Sequence, residues 1–178
     1  MNILILYDST DTTSEALTSE IQAILGDNPI LFDAGTTKMD PCLGCFGCWL
    51  KTPGLCVHRD DGDTFIKNLL GSDYILIVNR ITFGGYSSSI KTCLDRSIPT
   101  LHPYFEIRNG EMHHRQRYKK YPEYLFLGFG GISKAEEELF IEYTRANQVN
   151  MKKKNSNAVF IHSGGDDYKK WLSQEVLK

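Results

Sequence analysis

Three short apolar runs without a helical period punctuate the chain: NILILY at residues 2–7, YILIVN at 74–79 and YLFLG at 124–128. Runs of this length without polar alternation predict strands covered on both faces, as in a parallel sheet. Between the first two, Leu17, Ile21, Ile24 and Leu25 recur at i, i+4, i+7 and i+8, which predicts an amphipathic helix; Thr12 and Glu15 have capping-box spacing at its start. PILFD (29–33) and NAVFIH (157–162) predict two further strands. DTFIKNLLG (63–71), SSIKTCLDR (88–96), KAEEELFIEYTRANQ (134–148) and residues 166–177 predict helices.

Strands alternating with helices select a doubly wound α/β domain, because each parallel pair needs a crossover packed on one face of the sheet. Five such strands predict a flavodoxin-like parallel sheet of order 2-1-3-4-5, with residues 1–178 as one domain. Residues 98–122 are too long for a helix-to-strand link. Asn109-Gly110 between FEIR and EMHH is a two-residue hairpin signal, so this segment is read as a β-hairpin arm inserted before the fourth strand. Ligands of doubly wound sheets sit beyond the carboxyl ends of the strands at the switch in strand order, here the loops after the first and third strands.

Composition narrows the field. The chain has 178 residues, of which 41% are hydrophobic, enough for one buried core. A formal net charge of -2 gives no positive field for nucleic acid. The N-terminus has no basic region or cleavage site, and its apolar run is far too short to span a membrane, so a cytoplasmic location is expected. In a reducing cytosol five cysteines are not a disulfide framework and point to metal or redox chemistry.

The first of the two loops, DSTDTTS, follows a strand and opens a helix. Hydroxyls of Ser9, Thr10, Thr12, Thr13 and Ser14, with the free N–H groups of the helix start, form a candidate phosphate cradle. Asp8 and Asp11 oppose it: a carboxylate about 6 Å from a phosphate costs roughly 3 kcal/mol per unit charge at an effective dielectric of about 20, so at least one should point away. In the second loop, Gly84 and Gly85 let the backbone lie close to a flat ring, and Phe83 or Tyr86 can supply an apolar wall. On the following helix Ile90, Cys93 and Leu94 share an apolar face, which makes Cys93 a core residue and Asp95 with Arg96 a surface or helix-end pair. His113, His114, Arg115, Arg117, Lys119 and Lys120 form a basic patch on the arm, in which the adjacent histidines face opposite ways.

The stretch PCLGCFGCWLKTPGLC holds Cys42, Cys45, Cys48 and Cys56. C-x2-C-x2-C with a fourth thiolate nearby suits a [4Fe-4S] cluster. Zinc, with His58 as a substitute ligand, is a weaker match because only one further cysteine is present. The third reading is that reduced thiols, with Gly44, Phe46, Gly47 and Trp49, only shape an apolar loop.

RITFGGYSSSIKTCLDR, at 80–96, resembles the Pro-x-Tyr-Phe-Gly…Ser…Lys…Asp-Arg pattern of the flavodoxin-like NAD(P)H-dependent FMN reductase family, which includes the iron–sulfur flavoproteins. Gly84, Lys91, Asp95 and Arg96 match; Arg80 replaces the usual Pro and Thr82 the frequent Tyr. The cysteine segment and GEMHHRQRYKKYP resemble further parts of that family, whereas the first loop lacks its Gly-Ser-Pro-Arg type signature. The resemblance implies FMN, with its phosphate near Ser9, Thr10, Thr12, Thr13 and Ser14. The ring would lie against Ile81, Thr82, Phe83, Gly84, Gly85, Tyr86 and Ser87, with Gly130, Gly131 and Ile132 as a further wall. It implies hydride transfer from NAD(P)H, as NADH or NADPH, to the flavin and on to a quinone, a free flavin or another acceptor, in a homodimer joined through the arm. Two rival readings stay open: an electron carrier in which a [4Fe-4S] cluster and FMN serve a redox protein, and a flavodoxin-like binding module without flavin.

Overall fold

The computed structural model describes all residues except 27–28, 131–132, 154–156, 162–166 and 177–178. Five strands, β1 (Ile3–Tyr7), β2 (Pro29–Asp33), β3 (Tyr74–Arg80), β6 (Glu123–Phe129) and β7 (Asn157–Phe160), pair in parallel in the order β2-β1-β3-β6-β7. With the two arm strands set aside this is the 2-1-3-4-5 order that the apolar runs predict. Of the predicted last strand, His162 lies outside the described residues, as do both ends of the predicted final helix at 166 and 177.

Alternate side chains of the central strands feed two cores. Leu4, Leu6, Ile75, Ile77, Tyr124 and Phe126 meet Phe65 and Leu69 of α3 (Gly62–Gly71), Ile90 and Cys93 of α4 (Ser88–Asp95) and Phe140 of α5 (Lys134–Asn150). On the other face Ile3, Ile5, Leu76, Val78, Leu125 and Leu127 meet Leu17 and Ile21 of α1 (Thr12–Leu25) and Tyr168, Leu172 and Val176 of α6 (Asp167–Val176). Period-2 side-chain geometry sends neighbours to opposite faces, so a strand apolar at every position is what two covered faces require.

The start of α1 differs from its predicted capping box. Asp11, one residue earlier, is the N-cap and accepts from the Thr13 and Ser14 N–H groups; a carboxylate satisfies two orphan donors and also favours the positive end of the helix dipole. A capping box occurs instead at α5, where Ser133 and Glu136 bond reciprocally.

The arm is a separate two-stranded antiparallel sheet, β4 (Leu101–Arg108) and β5 (Glu111–Gln116). Asn109 and Gly110, at φ 53° and 83°, make the mirror-image turn that matches strand twist. His113 and His114 do point opposite ways. His113 is buried, with Nδ1 2.9 Å from Asn150 Oδ1, and Gln116 Nε2 donates to Met151 O at 2.8 Å, so the arm docks on the C-terminal end of α5. His114 packs on Phe105 and Trp49. The basic patch is largely engaged locally: Arg117 donates to Pro99 O and Leu101 O, Arg115 to Phe105 O, and Lys120 to Asp73. Two short elements have no periodic signal in the sequence, the four-residue α2 (Gly47–Leu50) and a 3₁₀ turn at Ile98–Thr100.

Phe140 is fully buried, with its ring against Tyr86, Phe126 and Phe160. Phe140→Ala is expected to destabilise the fold by about 3–5 kcal/mol in urea unfolding; a loss below about 1 kcal/mol would show that α5 is not part of the cooperative core.

Candidate functional site

The loops after β1 and β3 meet at the switch in strand order, as expected, and two polar bridges join them. Arg80, at the end of β3, pairs with Asp11 through Nε and through NH2, the latter at 3.1 Å from Oδ1. Ser89 donates its hydroxyl to Asp8. The Arg80 guanidinium lies 5.0 Å from the centre of the Phe129 ring, and Gly130, at φ 118°, leaves space beside its stem. The remaining crevice measures about 40 Å³, room for only a few water molecules.

Within the first loop the polar groups bond to carboxylates. Ser9 donates its N–H (3.0 Å) and its hydroxyl (2.5 Å) to Asp33 at the end of β2, and Thr10 does the same to Asp8 at 2.9 and 2.5 Å. The Thr13 and Ser14 N–H groups donate to Asp11 at 3.0 and 3.2 Å, and the buried Ser14 hydroxyl accepts from Asp8 N. The Arg80 hydrogen bond holds the Asp11 carboxyl below the usual range despite partial burial. Burial pushes Asp33 up, but donors from Ser9, Thr36 and Gly35 outweigh it and leave it low as well. Both are therefore carboxylates at neutral pH. A phosphate monoester offers only acceptors. Ser9, Thr10 and Ser14, expected to face it, serve Asp33 and Asp8 instead, while Thr12 and Thr13 stay exposed. The donor set of this loop does not fit the phosphate of FMN.

The second loop is better suited to a planar ring. Thr82 and Gly85 exchange backbone hydrogen bonds around Phe83 and Gly84, both at positive φ (50° and 73°). Phe83 is a strained choice there, and its ring is 91% exposed. Gly84 is required, because a Cβ would come within 2.5 Å of Leu139. Asn79, buried at the end of β3, fixes the turn by donating to Gly85 O and accepting from Ser87 N. Ser87 stands at the N-cap position of α4 without a side-chain capping bond, and Ile81 belongs to the core. Tyr86 departs from the expected wall: its ring packs inward on Phe126, Phe140 and Tyr143, and burial pushes its hydroxyl pKa up. Phe83 alone offers an aromatic face. Gly131 and Ile132 lie outside the described residues.

The cysteines occupy a second site. Residues 41–59 form a loop closed at its neck: Lys38 N donates to Asp61 at 2.8 Å, and Arg96 joins Asp40 O (2.6 Å) to the Asp60 carboxylate by two bonds of 2.7 and 2.6 Å. Arg96 stands at the end of α4, as one of the two expected readings has it, but it is only 3% exposed and is not a surface partner of Asp95. Arg96 is a buried clamp, and Asp95 pairs with Lys91 at 2.6 Å. A bidentate guanidinium can be buried here because Asp60 neutralises it. Inside the loop, Gly44 and Phe46 take left-handed conformations, and Gly47 lies so close to Val57 that a Cβ would clash at 2.5 Å. Trp49 stacks on Phe46 and donates Nε1–H to Leu101 O at 3.0 Å, tying the loop to the arm.

Cys42, Cys45, Cys48 and Cys56 all line one apolar cavity of about 160 Å³, together with His58, Trp49 and Arg96, whose buried Nε has no partner. Burial, then the neighbouring Cys56, Cys42 and Cys45, pushes the Cys48 thiol up. Cys93 stands apart in the core, pushed up to about 12 by burial. Among the described residues no three His, Cys, Asp or Glu side chains close up enough to hold a single metal ion, which with Zn–S bonds of about 2.3 Å needs tightly packed sulfurs. A cubane cluster takes its thiolates on separate irons and so further apart. Four thiols on one apolar cavity with an unpaired buried N–H donor in its wall fit that group chemically.

Comparison with known proteins gives two kinds of likeness. The chain is 38% identical over 72 residues to an iron–sulfur flavoprotein of Methanocaldococcus jannaschii and 32% identical over 65 residues to one of Archaeoglobus fulgidus, matches covering 40% and 36% of this chain. They span only 36% and 29% of those relatives' own length. No protein-family model matches. Over the whole fold the chain superposes on an NAD(P)H:quinone oxidoreductase from Methanothermobacter marburgensis with a TM-score of 0.64 at 13% identity, covering 100% of this chain and 99% of that one. An FMN-dependent NADH-azoreductase of Bacillus anthracis gives 0.61 at 12% identity, covering 98% and 95%. The fold is flavodoxin-like.

Removing the Arg96 clamp strands the Asp60 carboxylate. Arg96→Met is expected to cost about 3 kcal/mol at pH 7. Burial opposes the charge on Asp60, but Arg96 and the Gly62 N–H outweigh it and hold the carboxyl below its ordinary value. The pair's stabilisation is thus present above the usual carboxylate range and lost as pH falls through the folded value. The deficit of the variant should narrow below about pH 4; urea unfolding at pH 7 and pH 3 that gave the same deficit would refute this.

Proposed function

We propose that the chain is an oxidoreductase of the flavodoxin-like FMN reductase type, taking hydride from NAD(P)H and passing electrons to a quinone, a free flavin or another small acceptor. The observation that carries this reading is the Phe83–Gly84 turn, an exposed aromatic ring on a glycine-rich, Asn79-braced loop at the switch point of a fold shared with NAD(P)H:quinone oxidoreductases. Flavin supplies the two-electron chemistry when bound. The chain's own part is to hold the ring against residues 81–87, keep one face open to a stacked nicotinamide and exclude competing groups; no side chain is needed as a catalytic acid or base. Gly130 contributes to the remaining wall in this reading.

A second reading is favoured by the four thiols on one cavity and by the likeness to iron–sulfur flavoproteins. In it Cys42, Cys45, Cys48 and Cys56 hold a [4Fe-4S] cluster, and the protein also trades single electrons with a redox partner. Residues 1–178 act as one flavodoxin-like domain with the 98–122 arm as an insertion. The arm exposes Tyr104, Phe105, Ile107 and Met112, apolar surface of the kind that marks an interface, which supports a homodimer formed through it. All five cysteines are free thiols, which favours the cytoplasm, and no helix among the described residues is long and apolar enough to cross a membrane.

Anaerobic mixing with NADH or NADPH is expected to bleach the two flavin absorption bands within one turnover. Bands that survive nicotinamide but bleach with dithionite would replace the enzyme with the carrier. Iron and sulfide assays after reconstitution are expected to fall to background in Cys48→Ala if the cluster reading holds, and a wild-type protein equally free of iron would sink that reading alone.

A further inference from the structure

The flavin reading and the first loop disagree at one point, the phosphate. At that loop the fold directs the N–H groups of a fourteen-residue helix toward the switch point, where a phosphate would accept from them. In this chain the acceptor is already present. Asp11 takes the Thr13 and Ser14 N–H groups and draws the Arg80 guanidinium across from β3. Two donors at a helix start plus one arginine are the partner set of a phosphate, filled by a side chain of the chain itself. Asp33 and Asp8 take the Ser9 and Thr10 donors in the same way. Among the described residues only Arg80 pairs with any of these three carboxylates, and it is spent on Asp11.

We infer that Asp11 is an internal occupant of the phosphate seat, and that the Asp11–Arg80 pair makes the site select flavin without using its phosphate. The inference rests on the flavin reading and deepens it. The ring and the hydroxyl-bearing ribityl chain supply the affinity, because a sugar hydroxyl can donate to Asp8, whose Oδ2 accepts only from Ser89, whereas a phosphate dianion cannot. Riboflavin is then taken at least as tightly as FMN, and Arg80, standing where the related family usually has proline, is a specificity residue whose charge is cancelled within the loop.

Flavin-stripped full-length protein titrated with FMN and with riboflavin, followed by quenching of flavin fluorescence, tests this. Wild type is expected to bind riboflavin at least as tightly as FMN. Asp11→Ser keeps a neutral, displaceable helix cap but removes the carboxylate from the seat and frees Arg80; it should bind FMN at least about tenfold more tightly than wild type while riboflavin is unchanged, and adding Arg80→Gln should erase the gain. Asp11→Asn serves if the serine variant folds poorly. Wild type preferring FMN by about tenfold, or an unchanged FMN-to-riboflavin ratio in both variants, overturns the inference. If no form binds either flavin, the flavin reading fails, and inorganic phosphate decides the inference by itself. Phosphate should raise the melting temperature of Asp11→Ser, and not of wild type, relative to chloride at equal ionic strength; equal responses overturn it.

Discussion

Strands β1, β3 and β6 are covered by helices on both faces, and this one constraint orders the rest of the molecule. A strand with no solvent face has no room for polar side chains along its length, so polar groups collect where the strands end. Asp8, Asp33, Asn79 and Arg80 all lie at or just beyond the carboxyl ends of β1, β2 and β3. There they are shielded enough for hydrogen bonds to count and open enough to remain charged. The same sheet sets the distances. Because β1 lies between β2 and β3, an aspartate from β2 on one side and an arginine from β3 on the other converge on the loop that opens α1.

Charged groups in this frame are used chiefly as fasteners. Arg96 with Asp60 closes the neck of the cysteine loop, and Arg80 with Asp11 closes the crevice. The two differ in exposure. Arg96 is buried and clamped by two parallel bonds, so its worth lies in the cost of leaving Asp60 without it. Arg80 is half-exposed, and the attraction there is weakened by solvent; what gives it consequence is which donors it keeps occupied.

The apolar runs made the parallel sheet, its strand order and five of the helices legible in the sequence, because burial on both faces leaves a pattern that no surface segment shares. Asn109-Gly110 likewise announced the arm, since few residues accept positive φ at two successive positions. The site was legible only in part. Its place followed from topology, but the partner of each polar side chain did not, because Arg80 and Asp11 are 69 residues apart and pair only through sheet register. The burial of Arg96 was hidden for the same reason, its counter-ion Asp60 lying 36 residues upstream. Tyr86 turned inward because a large ring gains more in the aromatic cluster of α5 than at the surface. An acidic residue before a helix reads equally as cap or as obstacle, and Asp11 is both.

Trp49 joins parts of the molecule that would otherwise order independently. Its indole N–H is bonded to the first residue of β4 and its ring lies between Phe46 of the cysteine loop and His114 of the arm. A free surface loop carries its own closure entropy and its own fluctuations. Here the cysteine segment is tied to a hairpin that is itself anchored on the end of α5, so the cavity wall is not free to shift without the arm. A partner seated on the arm would therefore act on the four thiols as well, through one indole.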